Sequence, residues 1–145
     1  MFRHTIILLV LVGFSAGASA DPQPWMKREN SKTLGLYTQV HSACIQFDIA
    51  DLVSGVLTRH RMTPVSFLET ADLWLDVQLH CIDSANAVRS FLMRIEFHTI
   101  DHGPEMSYST TYGGFGRSDI NGIRLSLRDQ VEIAITDYLE AQTLF

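Results

Sequence analysis

Histidines and cysteines recur in this chain at spacings that metal sites and thiol enzymes use. His41 lies three residues before Cys44, His80 stands beside Cys81, and His98 precedes His102 by four. Neutral imidazole and thiolate bind zinc or copper, and a thiolate activated by an imidazole is the nucleophile of a cysteine enzyme. Strand geometry argues against pooling these residues. His80 and Cys81 are sequence neighbours and so point to opposite faces of an extended chain, and His41 and Cys44 also differ in parity. A narrower set passes that test: Asp76, His80, Glu96 and His98 share the outward parity of two successive strands and could converge across them. This set defines the alternative reading, a metal-binding or hydrolytic domain on the outer face of the central hairpin. None of its spacings is diagnostic, and a solvated sheet face explains the same residues more simply.

The compartment decides what the cysteines do. Residues 1–20, MFRHTIILLVLVGFSAGASA, place Arg3 and His4 before an apolar run and close on Ala18-Ser19-Ala20. That is the layout of a secretory signal peptide cut after Ala20. Its apolar run is shorter than the roughly 20 residues a bilayer span needs. Asp21 follows the cut in place of a cysteine that could be acylated, so no stable membrane anchor is expected on the processed chain. The expected location is the periplasm, or the exterior after secretion. Only Cys44 and Cys81 are present, and an even count in an exported chain favours a disulfide over a metal or redox site. A bonded pair leaves no thiolate for catalysis.

Other signatures are missing. The chain has no GxSxG, HExxH or CxxC segment, and Gly113-Gly114-Phe115-Gly116 lacks the spacing and lysine of a phosphate loop. No catalytic residue or cofactor is assigned on these grounds. Removing 20 of 145 residues leaves 125, and the loss of Arg3 takes the formal charge from −5 to −6. A negative chain without a Lys/Arg cluster has no electrostatic footprint for nucleic acid.

The elements that must position these residues follow from periodicity. Residues 21–34 hold Pro22, Pro24 and a polar run without a period, and read as a flexible or loosely docked N-terminal arm ahead of a single domain over 35–145. Leu36 to Phe47 reads as a strand. Asp48 is placed to cap a helix whose apolar residues Ile49, Leu52, Val53, Val56 and Leu57 share a face, and Pro64 stops it. Leu73, Leu75, Val77, Leu79 and Cys81 alternate with Asp76, Gln78 and His80; Phe91, Met93, Ile95 and Phe97 alternate with Arg94, Glu96 and His98. These runs predict an antiparallel hairpin. Met106 to Tyr112 predicts a further strand, broken by the glycines. A last helix, capped by Ser118 or Asp119, carries Ile123, Leu127, Val131, Ile135 and Tyr138 at intervals of three and four, with Arg128 and Glu132 spaced as an ion pair.

The order β-α-β-β-β-α, with one-sided helices and a one-sided sheet, predicts a two-layer α+β domain: a mixed, mainly antiparallel sheet with both helices on one face. The helix between the first two strands permits a parallel crossover, which brings Cys44 and Cys81 to the same end of neighbouring strands. The last strand then lies at the sheet edge with no charge or proline to discourage pairing. Tyr108, Ser109, Thr111 and Tyr112 are the candidate residues of an edge that accepts a protein partner. The plan is broadly similar to accessory domains of bacterial cell envelopes, a likeness of architecture that carries no residue across. The expected function is that of an exported, disulfide-stabilised, non-enzymatic binding or accessory protein.

Overall fold

The computed structural model describes residues 21–42, 44, 48–66, 71–83, 89–99 and 109–145. The elements run β1 (Thr33–Ser42), α1 (Ile49–Arg59), β2 (Thr63–Val65), β3 (Leu73–Asp83), β4 (Arg89–Thr99), β5 (Ser109–Ser118) and α2 (Ile120–Leu144). They form an α+β fold with one five-stranded sheet in the order β2-β1-β3-β4-β5. β1 pairs in parallel with both β2 and β3, and β3, β4 and β5 are antiparallel. The expected leader over 1–20 and the turn at 101–104 lie outside the described residues.

Alternation sorts the sheet as anticipated. Leu73, Leu75, Val77, Leu79 and Cys81 of β3 and Met93, Ile95 and Phe97 of β4 are buried with the apolar stripes of α1 and α2 in one core. Asp48 caps α1 by accepting from the Asp51 N–H at 3.1 Å, and Asp119 caps α2 by accepting from the Gly122 N–H at 2.8 Å. Each cap satisfies an amide that the first helical turn leaves without a partner. Glu132 binds Arg59 and the His60 ring at the end of α1, and so ties the two helices together. The Arg128–Glu132 pair anticipated within α2 is absent, and Arg128 pairs with Asp129 instead.

Four features depart from the sequence reading. First, β1 begins at Thr33, earlier than expected, because Gly35 is a strand residue packed under the Trp74 ring; residues 43 and 45–47 of the expected strand lie outside the described residues. Second, β2 was not anticipated. α1 ends with the Arg61 N–H donating to the Thr58 carbonyl and the Met62 N–H to the Leu57 carbonyl, while Arg61 takes a left-handed φ of 58°. This paired closure redirects the chain into a strand at the edge of the sheet, where Pro64 is tolerated because its missing N–H is not required on the outer side. Third, the glycines do not break β5. Gly114 and Gly116 stay in register opposite Met93 and Phe91, and Gly113 holds a φ of 128° where a Cβ would strike the Met93 carbonyl. Glycine here permits close approach of two backbones rather than ending the strand.

Fourth, the segment expected as a flexible or loosely docked arm is tied to α2. Pro24–Met26 forms a 3-10 turn, and Met26 is wholly buried. The Gln142 side chain donates to the Met26 carbonyl at 3.0 Å and accepts from the Arg28 N–H at 2.8 Å. The Tyr138 hydroxyl donates to the Ser31 carbonyl at 3.2 Å. Burial of Met26 supplies apolar gain, and the Gln142 bonds satisfy backbone groups that the turn would otherwise strand.

Candidate functional site

Both helices lie on one side of the sheet, so the other side displays every second residue of four strands. The register sets these residues in rows. Tyr37, Asp76, Glu96 and Thr111 form one row, and His41, His80, Leu92 and Phe115 form another. Chemistry differs sharply from row to row.

The first row is a closed polar network. Glu96 is only 4 % exposed, although it stands on the outer face. Its Oε1 accepts from Arg94 and from the Thr111 hydroxyl, both at 2.7 Å, and its Oε2 lies 3.2 Å from the His98 Nε2. Asp76 joins through His98 at 3.9 Å and accepts from the Gln78 amide at 2.8 Å. Three donors around one carboxylate repay its desolvation. Of the four residues in the metal-site alternative, Asp76, Glu96 and His98 are therefore neighbours. His80 is not among them. It stands four residues along β3 from Asp76, roughly 13 Å away at strand rise, with its ring stacked on His41 at 3.8 Å and 9°. No group of three or more His, Cys, Asp or Glu among the described residues is arranged to hold a metal ion.

Cys44 and Cys81 form the disulfide, with Cα atoms 5.5 Å apart. Cys81 lies beside Ser42 in the β1–β3 ladder, so two residues beyond the strand suffice to bring Cys44 to it. The bond pins the end of the sheet that carries the second row.

That end is apolar. Ile82 is 72 % exposed, Leu92 50 % and Phe115 72 %, and together with His80, Phe91 and Arg117 they line an open groove of about 720 Å³. Leu92 and Phe115 are direct partners across β4 and β5, and Ile82 lies one row further along. Large apolar side chains are thus clustered in contact with water on one sheet face. Periodicity held a usable signal for it, because Ile82 and Leu92 carry the outward parity of otherwise polar strands. Phe115 was hidden by the glycines on either side of it.

The proposed edge residues separate in the structure. β5 is the terminal strand, as anticipated from chain order. Thr111 is exposed on the outer face and donates to Glu96. Ser109 pairs with His98 in the ladder, and Tyr108 lies outside the described residues. Tyr112 is 2 % exposed and points the other way, packing edge to face on Phe97, which in turn stacks on Tyr138. It serves the core and offers no anchor at the edge, because the pleat turns residue 112 to the face opposite Thr111.

The fold and site define an α+β protein with a disulfide at one end of its sheet and, among the described residues, an exposed apolar patch at that same end. No helix among the described residues is long and apolar enough to cross a membrane. No family model and no curated protein matches the chain. Among solved structures it is similar to a minor lipoprotein from Acinetobacter baumannii, with a TM-score of 0.37 and 9 % identity over 78 % of this chain and 92 % of that one.

Proposed function

We propose that the chain is exported, loses its leader after Ala20, and works as a non-enzymatic accessory protein of the cell envelope or secretome. It binds a protein partner at the β5 edge and the adjoining apolar end of the outer sheet face. The observation that carries this reading is the coincidence of a terminal strand with Ile82, Leu92 and Phe115, all in water on one face beside it. A partner strand added to β5 gains main-chain hydrogen bonds, and its side chains reach the patch, the usual division between affinity and specificity in strand addition. The disulfide supports an oxidising compartment. The closed Glu96 network explains why the polar row need not take part.

The test is site-specific photo-crosslinking in the exporting cell, with the reactive residue at Phe115 and, as control, at Asp51 on the exposed side of α1. A discrete adduct should form from position 115 only and disappear when Leu92→Glu is added. Because Leu92 is half exposed, that substitution should leave the thermal midpoint nearly unchanged. Adducts of equal yield from both positions, or an adduct indifferent to Leu92→Glu, would refute the reading.

A further inference from the structure

The apolar end of the outer face also carries a charge. The register sets Ile82, Ser90 and Arg117 in one row, beyond the row of Leu92 and Phe115. Arg117 is exposed at the rim of the groove, and neither Asp nor Glu is among the described residues that line it. No salt bridge among the described residues includes Arg117. Glu96, on the same face of the neighbouring strand, stands six residues along β4 from Ser90, roughly 20 Å at strand rise. It is already held by Arg94, Thr111 and His98. In a chain of net charge −5, this end of the sheet therefore offers a cation that no described carboxylate answers.

The strand that carries Arg117 is also the open edge. The opposite edge, β2, is only Thr63–Val65 and contains Pro64, whereas β5 runs for ten residues without proline and with Arg117 as its one charge. The outward residues of β5 are Ser109, Thr111, Gly113, Phe115 and Arg117, set opposite His98, Glu96, Arg94, Leu92 and Ser90. Gly113 presents no side chain, so Phe115 has an empty position on one side and a cation on the other.

We infer that the partner segment is an acidic-apolar strand. It pairs along β5, lays one large apolar side chain against Phe115 and Leu92, fills the space at Gly113 with another, and sets a carboxylate against Arg117. This rests on the reading that β5 takes a partner strand. Residues on one face of a strand are two apart, so these three positions fix the spacing of the motif whichever way the partner runs. The carboxylate gains a charge-assisted hydrogen bond from the guanidinium, and a basic residue at that position is repelled. A second copy of the chain fits less well. In every register of self-pairing, the outward residues of its β5 bring serine, threonine, glycine, phenylalanine or a second arginine to Arg117, and never an acid. A lipid chain would cover the apolar carbon but would leave the edge N–H and C=O groups, which a peptide backbone satisfies, shielded from water without partners.

The experiment uses the disulfide-intact protein and two fluorescein-labelled peptides. One alternates threonine with isoleucine, phenylalanine and then glutamate; the other has lysine in place of the glutamate, and each is also made in reversed order. Fluorescence anisotropy should show the glutamate peptide binding about tenfold more tightly than the lysine peptide, with the gap narrowing as salt is raised. Arg117→Glu should reverse the preference. Phe115→Ala should weaken both peptides alike, because it removes apolar contact and leaves the charge in place. Both side chains are exposed, so neither change threatens the fold. Equal binding of the two peptides, with Phe115→Ala still weakening both, overturns the acidic preference and leaves strand addition standing. Binding of neither peptide in either order overturns the inference, and the crosslink from position 115 then reports separately on whether a protein partner exists. In protein that takes up neither peptide, dimers in sedimentation would assign the edge to a second copy, and Arg117-dependent binding to phosphatidylglycerol vesicles would assign it to lipid; each overturns the inference as well.

Discussion

Reducing the Cys44–Cys81 bond isolates the contribution of the cross-link, because both sulfurs are buried and a free thiol refills the space it leaves. Replacing either cysteine by alanine would add a cavity term and confuse the two effects. The bond closes a loop with a sequence separation of 37. On the chain-entropy account a loop of that length costs the unfolded chain about 13 cal/mol/K, or about 4 kcal/mol at 25 °C. Small domains have only about 5–15 kcal/mol in total, so a large fraction is at stake. Urea unfolding of the oxidised protein and of protein held in excess phosphine reductant gives the difference directly. With a slope of about 2 kcal/mol/M for a chain of this size, the midpoint should fall by about 2 M. The reduced protein should keep its far-UV spectrum, since the core of β3, β4 and α2 does not depend on the bond. A midpoint shift under about 0.5 M would show that the unfolded chain is not constrained as reasoned. Two alkylatable thiols in the native exported protein would remove the bond itself.

Two glycines should respond in opposite directions to the same change. A Cβ on Gly35 would stand 2.5 Å from the Trp74 ring, so Gly35→Ala should cost about 1–3 kcal/mol; Gly55, inside α1 with open space around it, should gain about 1 kcal/mol as alanine. Thermal melts of the two variants decide the matter, and a neutral Gly35→Ala would mean that Trp74 swings aside. Tyr138 supplies a pH dependence. Burial pushes its hydroxyl up to about 12 from an ordinary 10, against a smaller opposing pull from Arg28. The folded state therefore holds the proton more tightly, and the resulting stability is present below pH 10 and lost as pH rises from 10 to 12. Absorbance at 295 nm should show its ionisation coinciding with alkaline unfolding, and Tyr138→Phe should flatten that part of the stability curve. An early, unfolding-independent titration would contradict the burial.

Much of this architecture was legible because its signals are local. Asp48 ahead of an i, i+3, i+4 stripe marks a helix start wherever the helix packs, and strict alternation from Leu73 to Cys81 leaves one way to bury that strand. The disulfide was legible because two separate constraints agreed, a leader-like N-terminus on a chain with only two cysteines and a crossover long enough to bring parallel strands together. What escaped depends on partners distant in sequence. Thr63-Pro64-Val65 is a strand only because β1 offers a free edge beside it, and nothing in three residues announces that. Gly113 reads as a turn until Met93 is known to lie against it. Met26 looks like part of a polar arm, and its burial requires the Gln142 side chain, 116 residues away, to satisfy its carbonyl. The candidate site divided along the same line. Parity correctly grouped Asp76, His80, Glu96 and His98 on one face, but parity carries no information about position along a strand, and the register separates His80 from the others.

The outer sheet face illustrates how a bare surface acquires direction. Among the described residues no layer lies over the face of the sheet opposite the two helices, and each row there must either satisfy itself or remain in contact with water. Trp74 lies over Gly35 with its N–H donated to the Ala71 carbonyl at 3.0 Å, so a large indole is used as a lid where a glycine leaves room. The next row buries Glu96 almost completely by surrounding it with Arg94, Thr111 and His98. An incoming group at that row would have to displace charge-assisted hydrogen bonds, which is costly. At the row of Leu92 and Phe115 it displaces only water from apolar carbon, which is favourable. The gradient runs toward the end held by the disulfide, where β4 pairs with both β3 and β5 and so holds Ile82, Leu92 and Phe115 in fixed register. A surface that is apolar and also pre-organised loses little conformational entropy on being covered.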